Sequence, residues 1–469
     1  MDYISTRGKA KQLDFCEVLL EGLATDGGLY MPVNWPDFSF DKIKNLQGLS
    51  YQDLAFEIMQ PFVAPALSYN KLKKAIYSAV SSFNHKAVTP LIQIGDNDWI
   101  MELYHGKTLA FKDHALQLLG QLFDIILEDK KDRVTIVGAT SGDTGSAAIE
   151  ACKNCKNVDI FILHPKGRVS DVQRRQMTTV DSANVFNIAI EGDFDDCQNL
   201  VKALFGDEAF RRKLKLSAIN SINWARIMAQ IVYYFRAGTA LGAPDKKPYF
   251  VVPTGNFGNI FAGFAAHKMG LPVSQLVVAS NANDILHRFF ETAVMQKHQV
   301  VPSLSPSMDI QISSNFERLL FEIFNRDSSK VCSVMEKFSL SGKYEVESEV
   351  LSETKTLFAS GRCSDDETKE EIKRVYQETG VLIDPHTAVG VFTAKKLKDR
   401  DFKEPLVVLS TAHPAKFPDA VKAATGKEPK LPPFLKDLFI KQEKYITLDK
   451  NIDKLKSIII SNSRVTRGE

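Results

Sequence analysis

The chain has 469 residues, beyond the size at which one hydrophobic core keeps growing, so two or three domains are expected. Hydrophobic residues make up 44% and charged residues 25%, as in ordinary globular proteins, and no apolar stretch is long enough to span a bilayer. Lys plus Arg (59) almost balances Asp plus Glu (57), and the formal charge of +2 gives no electrostatic reason to expect nucleic acid or an anionic membrane as partner.

The opening, MDYISTRGKAKQLDF, lacks the apolar core of a secretory signal peptide, so a cytoplasmic location is expected. Residues 1–90 carry short helical patterns at Phe15–Leu23, Tyr51–Met59 and Lys71–Phe83, joined through the Gly- and Pro-bearing stretch DGGLYMPVNWPDF. Without long β-runs they predict a small, mostly helical N-terminal domain, ending near Pro90 ahead of a strand-like segment at Leu91–Ile94.

Next comes YHGKTLAFKDH, Tyr104 to His114. Lys112 follows Leu109, Ala110 and Phe111 and precedes Asp113 and a helical apolar pattern (Leu116, Leu118, Leu119, Leu122, Phe123, Ile125, Ile126). Desolvation of an amine placed so would lower its pKa and favour the neutral nucleophile, which can form a Schiff base with an aldehyde cofactor. A purely structural lysine satisfies the same local pattern.

From there β-rich runs alternate with amphipathic helices. The runs are Arg133–Gly138, Val158–His164, Val185–Ile190, Tyr249–Pro253, Gln275–Ser280 and Leu406–Ser410, with helical patterns that include Trp224–Ala237 and Ile260–Met269. Runs apolar through most of their length suit strands covered on both faces, and the alternation implies largely parallel sheets with ligands beyond the strands' carboxyl ends. Past Lys430 turns and a closing helix are expected. Cys152 and Cys155 form a C-x-x-C with no second ligand pair to complete a zinc site, so reduced thiols and no metal are expected.

Three strand-like runs end in loops suited to chemistry. Gly138-Ala-Thr-Ser-Gly-Asp-Thr-Gly145 and Pro253-Thr-Gly-Asn-Phe-Gly-Asn259 each lead into a helix, where glycines permit close approach and backbone N–H groups face an anion. Ser410-Thr-Ala-His-Pro414 is a hydroxyl-bearing strand end. Neither glycine loop carries the P-loop pattern or G-x-G-x-x-G, which disfavours nucleotide and dinucleotide binding.

The segments YHGKTLAFKD, GATSGDTG, HPKGRVSDVQRRQMTT, NSINWARIMAQ, PTGNFGN and STAHPAKF occur in an order that resembles the threonine synthases, nearest the branch of Gram-negative bacteria and fungi. The opening YISTRG with LLEGLATDGGLYMP resembles that branch's N-terminal domain, so the likeness covers nearly the whole chain. It implies the tryptophan-synthase-β-like fold of pyridoxal-phosphate enzymes (fold type II). Two open parallel-sheet α/β subdomains with a C-terminal extension would occupy residues 91–469, beyond the N-terminal domain of residues 1–90. It implies a lyase that converts O-phosphohomoserine and water to threonine and phosphate, as a monomer or homodimer. By motif, Lys112 would hold the cofactor, Gly255, Asn256, Phe257, Gly258 and Asn259 its phosphate, and Thr411 its ring nitrogen. Asp143 lies where many enzymes of this fold carry asparagine near the ring. A hydroxyl opposite the ring nitrogen makes a milder electron sink than a carboxylate would, which suits chemistry at the β and γ carbons.

A phosphorylated substrate needs a second anion site. Candidates are Arg168, Arg174 and Arg175, and the group Asn220, Ser221, Asn223 and Arg226, of which Arg168 and Arg226 are favoured because a guanidinium fork fits a phosphate. His105, Thr108, Thr140, Ser141 and Thr144 are candidate contacts for the substrate's carboxylate or for water. Lys107 departs from the family motif, standing where proline is expected. His164 and His386, beside prolines, read as turn residues, and the segment from Met308, MDIQISSNFERLLFE, receives no role. Two other readings compete: a serine/threonine dehydratase, which would share the lysine and the phosphate loop but need no second phosphate site, and a non-catalytic threonine-synthase-like binding protein, against which the presence of Lys112, Asp143, the GNFGN loop and Thr411 argues.

Overall fold

The computed structural model describes residues 1–397 and 399–467. Besides helices, the N-terminal segment carries β1 (Asp2–Ser5), β2 (Leu13–Asp14) and β3 (Tyr30–Pro32), paired as an antiparallel sheet in the order β2–β1–β3. Strands of two to four residues are too short to show an alternation in sequence.

The chain then lays down β4 (Leu91–Gln93) and β5 (Asp98–Glu102) and crosses to β6 (Val134–Ala139), β7 (Val158–Pro165), β8 (Val185–Ile190) and β9 (Leu216–Ser217). It returns through β10 (Tyr249–Pro253), β11 (Gln275–Ser280), β12 (Val294–Gln296), β13 (Lys343–Glu345), β14 (Phe358–Arg362) and β15 (Leu406–Ser410), then ends past β16 (Ile446–Leu448). Two main sheets result. One has the order β14–β11–β10–β15–β5–β4 and is parallel except at its edge strand β4. The other, β16–β8–β7–β6–β9, is parallel throughout. Helices cover both faces, and every residue of β7, β10 and β15 is buried, as suits runs apolar through most of their length.

The tail beyond Lys430 has the turns and closing helix expected of it and, in addition, a strand. β16 adds a parallel edge strand to β8, and the helix Ile452–Asn462 buries Leu455 and Ile459 against Leu200 and Leu204. The strand is three residues long with one buried side chain, so its pairing leaves little trace in sequence.

Four connections place the site. β5 leads through a turn to the helix Lys112–Lys130, β6 to the helix Asp143–Cys152, β10 to the helix Gly258–Lys268, and β15 to Thr411. All lie beyond strand carboxyl ends. The first two helices pack closely at Gly120, where an added Cβ would lie 2.3 Å from the carbonyl oxygen of Ala151. The N-terminal segment shares the same core. The rings of Tyr3, Trp35 and Phe62 stand 5.9, 6.0 and 5.7 Å from that of Trp224. Arg318, fully buried, donates to the carbonyls of Tyr30 (3.1 Å) and Ile222 (2.6 Å).

Gly120→Ala should therefore push the two helices apart and cost about 1–3 kcal/mol of stability. Urea unfolding is expected to show a lower midpoint at unchanged slope; an unaltered midpoint would mean that the interface has room to spare.

Candidate active site

The turn before Lys112 is locked from two sides. Within it, the Asp113 carboxylate accepts from Thr108 N (2.7 Å) and Thr108 Oγ1 (2.9 Å). Gly106 is confined to glycine there, because a Cβ would fall 2.3 Å from Asp113 Oδ2. From outside, the strand-end loop after β15 pairs with it. Phe111 N donates to Thr411 O (2.8 Å) and His413 N to Leu109 O (3.0 Å). Leu109 is held at φ 61°, a left-handed conformation that a leucine adopts only when its surroundings impose it.

Lys112 opens its helix with Nζ 3.3 Å from Asp143 Oδ2. Asp143 opens the helix after β6 and is the hub of the site. Its Oδ1 accepts from Lys416 Nζ (2.7 Å) and Gln173 Nε2 (2.8 Å), and its Oδ2 from Ser307 Oγ (2.9 Å). Lys416 also donates to Thr108 O (2.8 Å). Burial disfavours a carboxylate, but the charges of Lys416 and Lys112 and these hydrogen bonds outweigh it, holding Asp143 well below the usual range. For Lys112 burial dominates and lowers the amine, opposed by Asp143 and reinforced by Lys416 and Arg226. A neighbouring chain runs from Asp384 Oδ2 to His386 Nδ1 (2.6 Å), while His386 Nε2 accepts from Ser307 N (3.3 Å). That bond fixes the tautomer with the proton on Nδ1.

The GNFGN loop turns at Phe257, φ 61°, and opens the helix Gly258–Lys268. Its backbone is held by the segment that sequence left without a role. Ser313 Oγ donates to Gly255 O (2.7 Å), and Asn315 donates to Asn256 O from both its backbone N (3.1 Å) and its side chain (3.0 Å). Two buried polar groups near these loops lack protein partners: Asn259 Nδ2, and Nε and Nη1 of Arg226 have none among the described residues. Burial lowers the Arg226 guanidinium to about 10. An unpaired buried donor, Asn259 Nδ2, at a helix start within a glycine loop is what an anionic phosphate group would satisfy, so the residues fit an aldehyde cofactor bearing a phosphate.

The other candidates spread out. Thr140 Oγ1 accepts from Gly142 N (2.9 Å) and Gly145 N (2.8 Å), so this hydroxyl shapes the first glycine loop. Ser141 is exposed and Thr144 half-buried at the same helix opening. Asn223 caps its helix at Ala225 N and donates to Leu19 O (2.8 Å). Ser221 accepts through its carbonyl from Asn315. Arg168 is exposed in the turn after β7. Arg174 pairs with Glu443 (2.8 Å), and Arg175 donates to the carbonyls of Leu438 and Lys441, so both serve the C-terminal segment. Lys107 Nζ lies 6.0 Å from the Phe434 ring centroid, lining an open cavity of about 530 Å³ with Gln176, Leu435 and Lys441. His164 is a buried strand residue and His386 a helix-start residue, not turn residues. Lys416, Gln173, Ser307 and His386 were missed as site residues. Lys416 and Gln173 stand within quoted motifs, but nothing local distinguishes them from surface residues.

Comparison with known proteins covers the same span. The family model for the threonine synthase N terminus matches residues 2–80, that for the pyridoxal-phosphate-dependent enzymes residues 83–349, and that for the threonine synthase C-terminal region residues 387–459. A threonine synthase of Pseudomonas aeruginosa is 54% identical over 98% of this chain and 98% of its own length. The crystal structure of a pyridoxal-phosphate-bound threonine synthase from Brucella melitensis superposes with a TM-score of 0.97 at 50% identity, covering 99% of this chain and 100% of that one. The yeast threonine synthase structure gives 0.94 at 42%, covering 98% of each chain. Among the described residues no helix is long and apolar enough to cross a membrane, and no group of three or more His, Cys, Asp or Glu side chains could hold a metal.

Burial around the lysine turn makes folding respond to pH. His114 is lowered from 6.5 to about 3 and His413 to about 4, so their contribution is complete above 6.5 and is lost as pH falls toward those values. Burial pushes Asp113 from 3.8 up to about 6; its contribution is complete below 3.8 and is lost as pH rises through 6. The two histidines outweigh it, so stability should fall between about pH 7 and about pH 4. Asp113→Asn removes the opposing effect and should steepen that fall by up to about 3 kcal/mol. Urea unfolding across this range checks the sign, and a shallower fall in the variant would contradict it.

Proposed function

The chain belongs to the threonine synthase family of pyridoxal-phosphate-dependent enzymes, and on that premise we propose that it converts O-phosphohomoserine and water to threonine and inorganic phosphate as a carbon–oxygen lyase. Its cofactor is pyridoxal 5′-phosphate. When bound, the cofactor supplies an aldehyde for the substrate amine and an electron sink that acidifies the neighbouring carbons, so that a γ-phosphate can leave and water can add at the β-carbon.

Lys112 would hold the cofactor, the N–H groups of Gly255 to Asn259 would take its phosphate, and Thr411 would face its ring nitrogen. Asp143, kept ionised by Lys416, would stand near the ring. Displaced by the substrate amine, Lys112 Nζ would be a free base beside Cα; it would take the Cα proton, hand it on to C4′, and as a neutral amine again take one Cβ proton. Ser141 and Thr144, at the opening of the helix after β6, are proposed to bind the substrate's carboxylate.

The observation that favours a synthase over a dehydratase of the same fold is Arg226. Its guanidinium is buried, is unpartnered at Nε and Nη1, and bears electrostatically on Lys112. With the cofactor phosphate assigned to the glycine loop, this fork is left for a second phosphate, which a dehydratase substrate does not carry.

Borohydride reduction of the holoenzyme should fix the cofactor on Lys112, located by peptide mapping, and Lys112→Ala should abolish turnover with its circular dichroism unchanged. Attachment elsewhere would overturn the site. Purified protein should release phosphate as it forms threonine; ammonia and 2-oxobutanoate made from threonine would instead show a dehydratase. Arg226→Met should lower kcat/KM for O-phosphohomoserine by roughly a hundredfold or more, about 3 kcal/mol, while borohydride still labels Lys112.

A further inference from the structure

Lys416 lies in the short turn Pro414–Lys416 that follows β15, and its side chain is fully enclosed. A lysine is rarely placed so unless its ammonium is paired. Its partner is Asp143, 2.7 Å away, and the same Nζ donates to Thr108 O at 2.8 Å. The pair spans the two halves of the fold, because Lys416 hangs from the six-stranded sheet and Asp143 follows β6 of the five-stranded one.

We propose that Lys416 is a positioning residue for Lys112: by committing the Asp143 carboxylate to itself, it leaves the Lys112 amine neutral and able to accept a proton. The argument is charge balance in a site with little water to screen it. Asp143 brings one negative charge. Lys416 balances it at 2.7 Å, Gln173 and Ser307 occupy further acceptor positions at 2.8 and 2.9 Å, and Lys112 stands back at 3.3 Å. A proton on Lys112 would add a second ammonium beside Arg226 with no carboxylate left to answer it. Without Lys416 the balance inverts, and Asp143 would hold Lys112 as its own ammonium partner. The remaining titratable groups facing the cluster do not supply the missing charge. Asp113, raised by burial only to about 6, is ionised near pH 7, but its oxygens are taken by Thr108 N and Oγ1 and not by Lys112, and burial keeps His413 low, at about 4, hence neutral near pH 7. The bond from Lys416 to Thr108 O also anchors the turn that carries Lys112, so charge and placement come from one side chain.

The inference rests on the reading of Lys112 as the proton-transferring base, and the test separates the two. In the full-length chain freed of cofactor, competitive labelling with acetic anhydride, read by peptide mass spectrometry, reports the pH midpoint of the Lys112 amine itself. Lys416→Met is expected to raise that midpoint by about one pH unit or more, a roughly tenfold loss of neutral amine at fixed pH. The acid limb of kcat in the holoenzyme should move upward with it. Should the methionine variant not fold, Lys416→Gln removes the charge, retains an amide donor, and carries the same expectation. An unmoved midpoint in a folded variant would overturn the proposal. Borohydride labelling away from Lys112 would instead strike the assignment of the base, while the midpoint would still report whether Lys416 governs this amine.

Discussion

The site is organised around one carboxylate shared by two lysine side chains, of which Lys416 is fully enclosed and carries the balancing charge. Asp143 lies between Lys112 and Lys416, and the three come from three separate connections: the helix after β5, the helix after β6, and the turn after β15. An unpaired buried charge costs several kcal/mol, so none of these connections can move far without exposing or stranding a charge. The close approach of the two helices at Gly120 and the pairing of the Leu109–Phe111 turn with Thr411 and His413 follow from the same requirement.

A second constraint links the phosphate loop to the N-terminal segment. Ser313 and Asn315 hold the backbone of Gly255 and Asn256, and within the same stretch Arg318 reaches Tyr30 O while Glu317 accepts from Thr6 (2.6 Å) and pairs with Arg7 (3.0 Å). The N-terminal sheet is thereby tied to the glycine loop through one helix start. Together with the rings packed on Trp224, this makes the first residues of the chain part of the wall behind the site.

The departure at Lys107 acquires a place. Its cation faces the Phe434 ring and a cavity shared with the C-terminal segment, and Thr108, the next residue, is the one that Asp113, Lys416 and Gln176 all grip. With so many bonds on the following residue, the turn does not depend on a proline ring to hold its shape.

The amino-acid sequence alone determined which runs become the parallel strands and where their loops carry chemistry. Burial on both faces favours a run apolar through most of its length, and a glycine turn before a helix is written in local composition. The GNFGN loop stood out for that reason, whereas the roles proposed for Lys112 and Thr411 rested on the resemblance to the threonine synthases. The strands β1 to β3 and β16 were not, being too short for any periodicity. Nor were Lys416, Gln173, Ser307 and His386, which are ordinary polar residues until distant segments enclose them. Whether a lysine is a solvated surface cation or half of a buried ion pair depends on the dielectric around it and on a carboxylate more than 270 positions away in the chain. Only the tertiary packing that brings the turn after β15 beside the helix after β6 decides that.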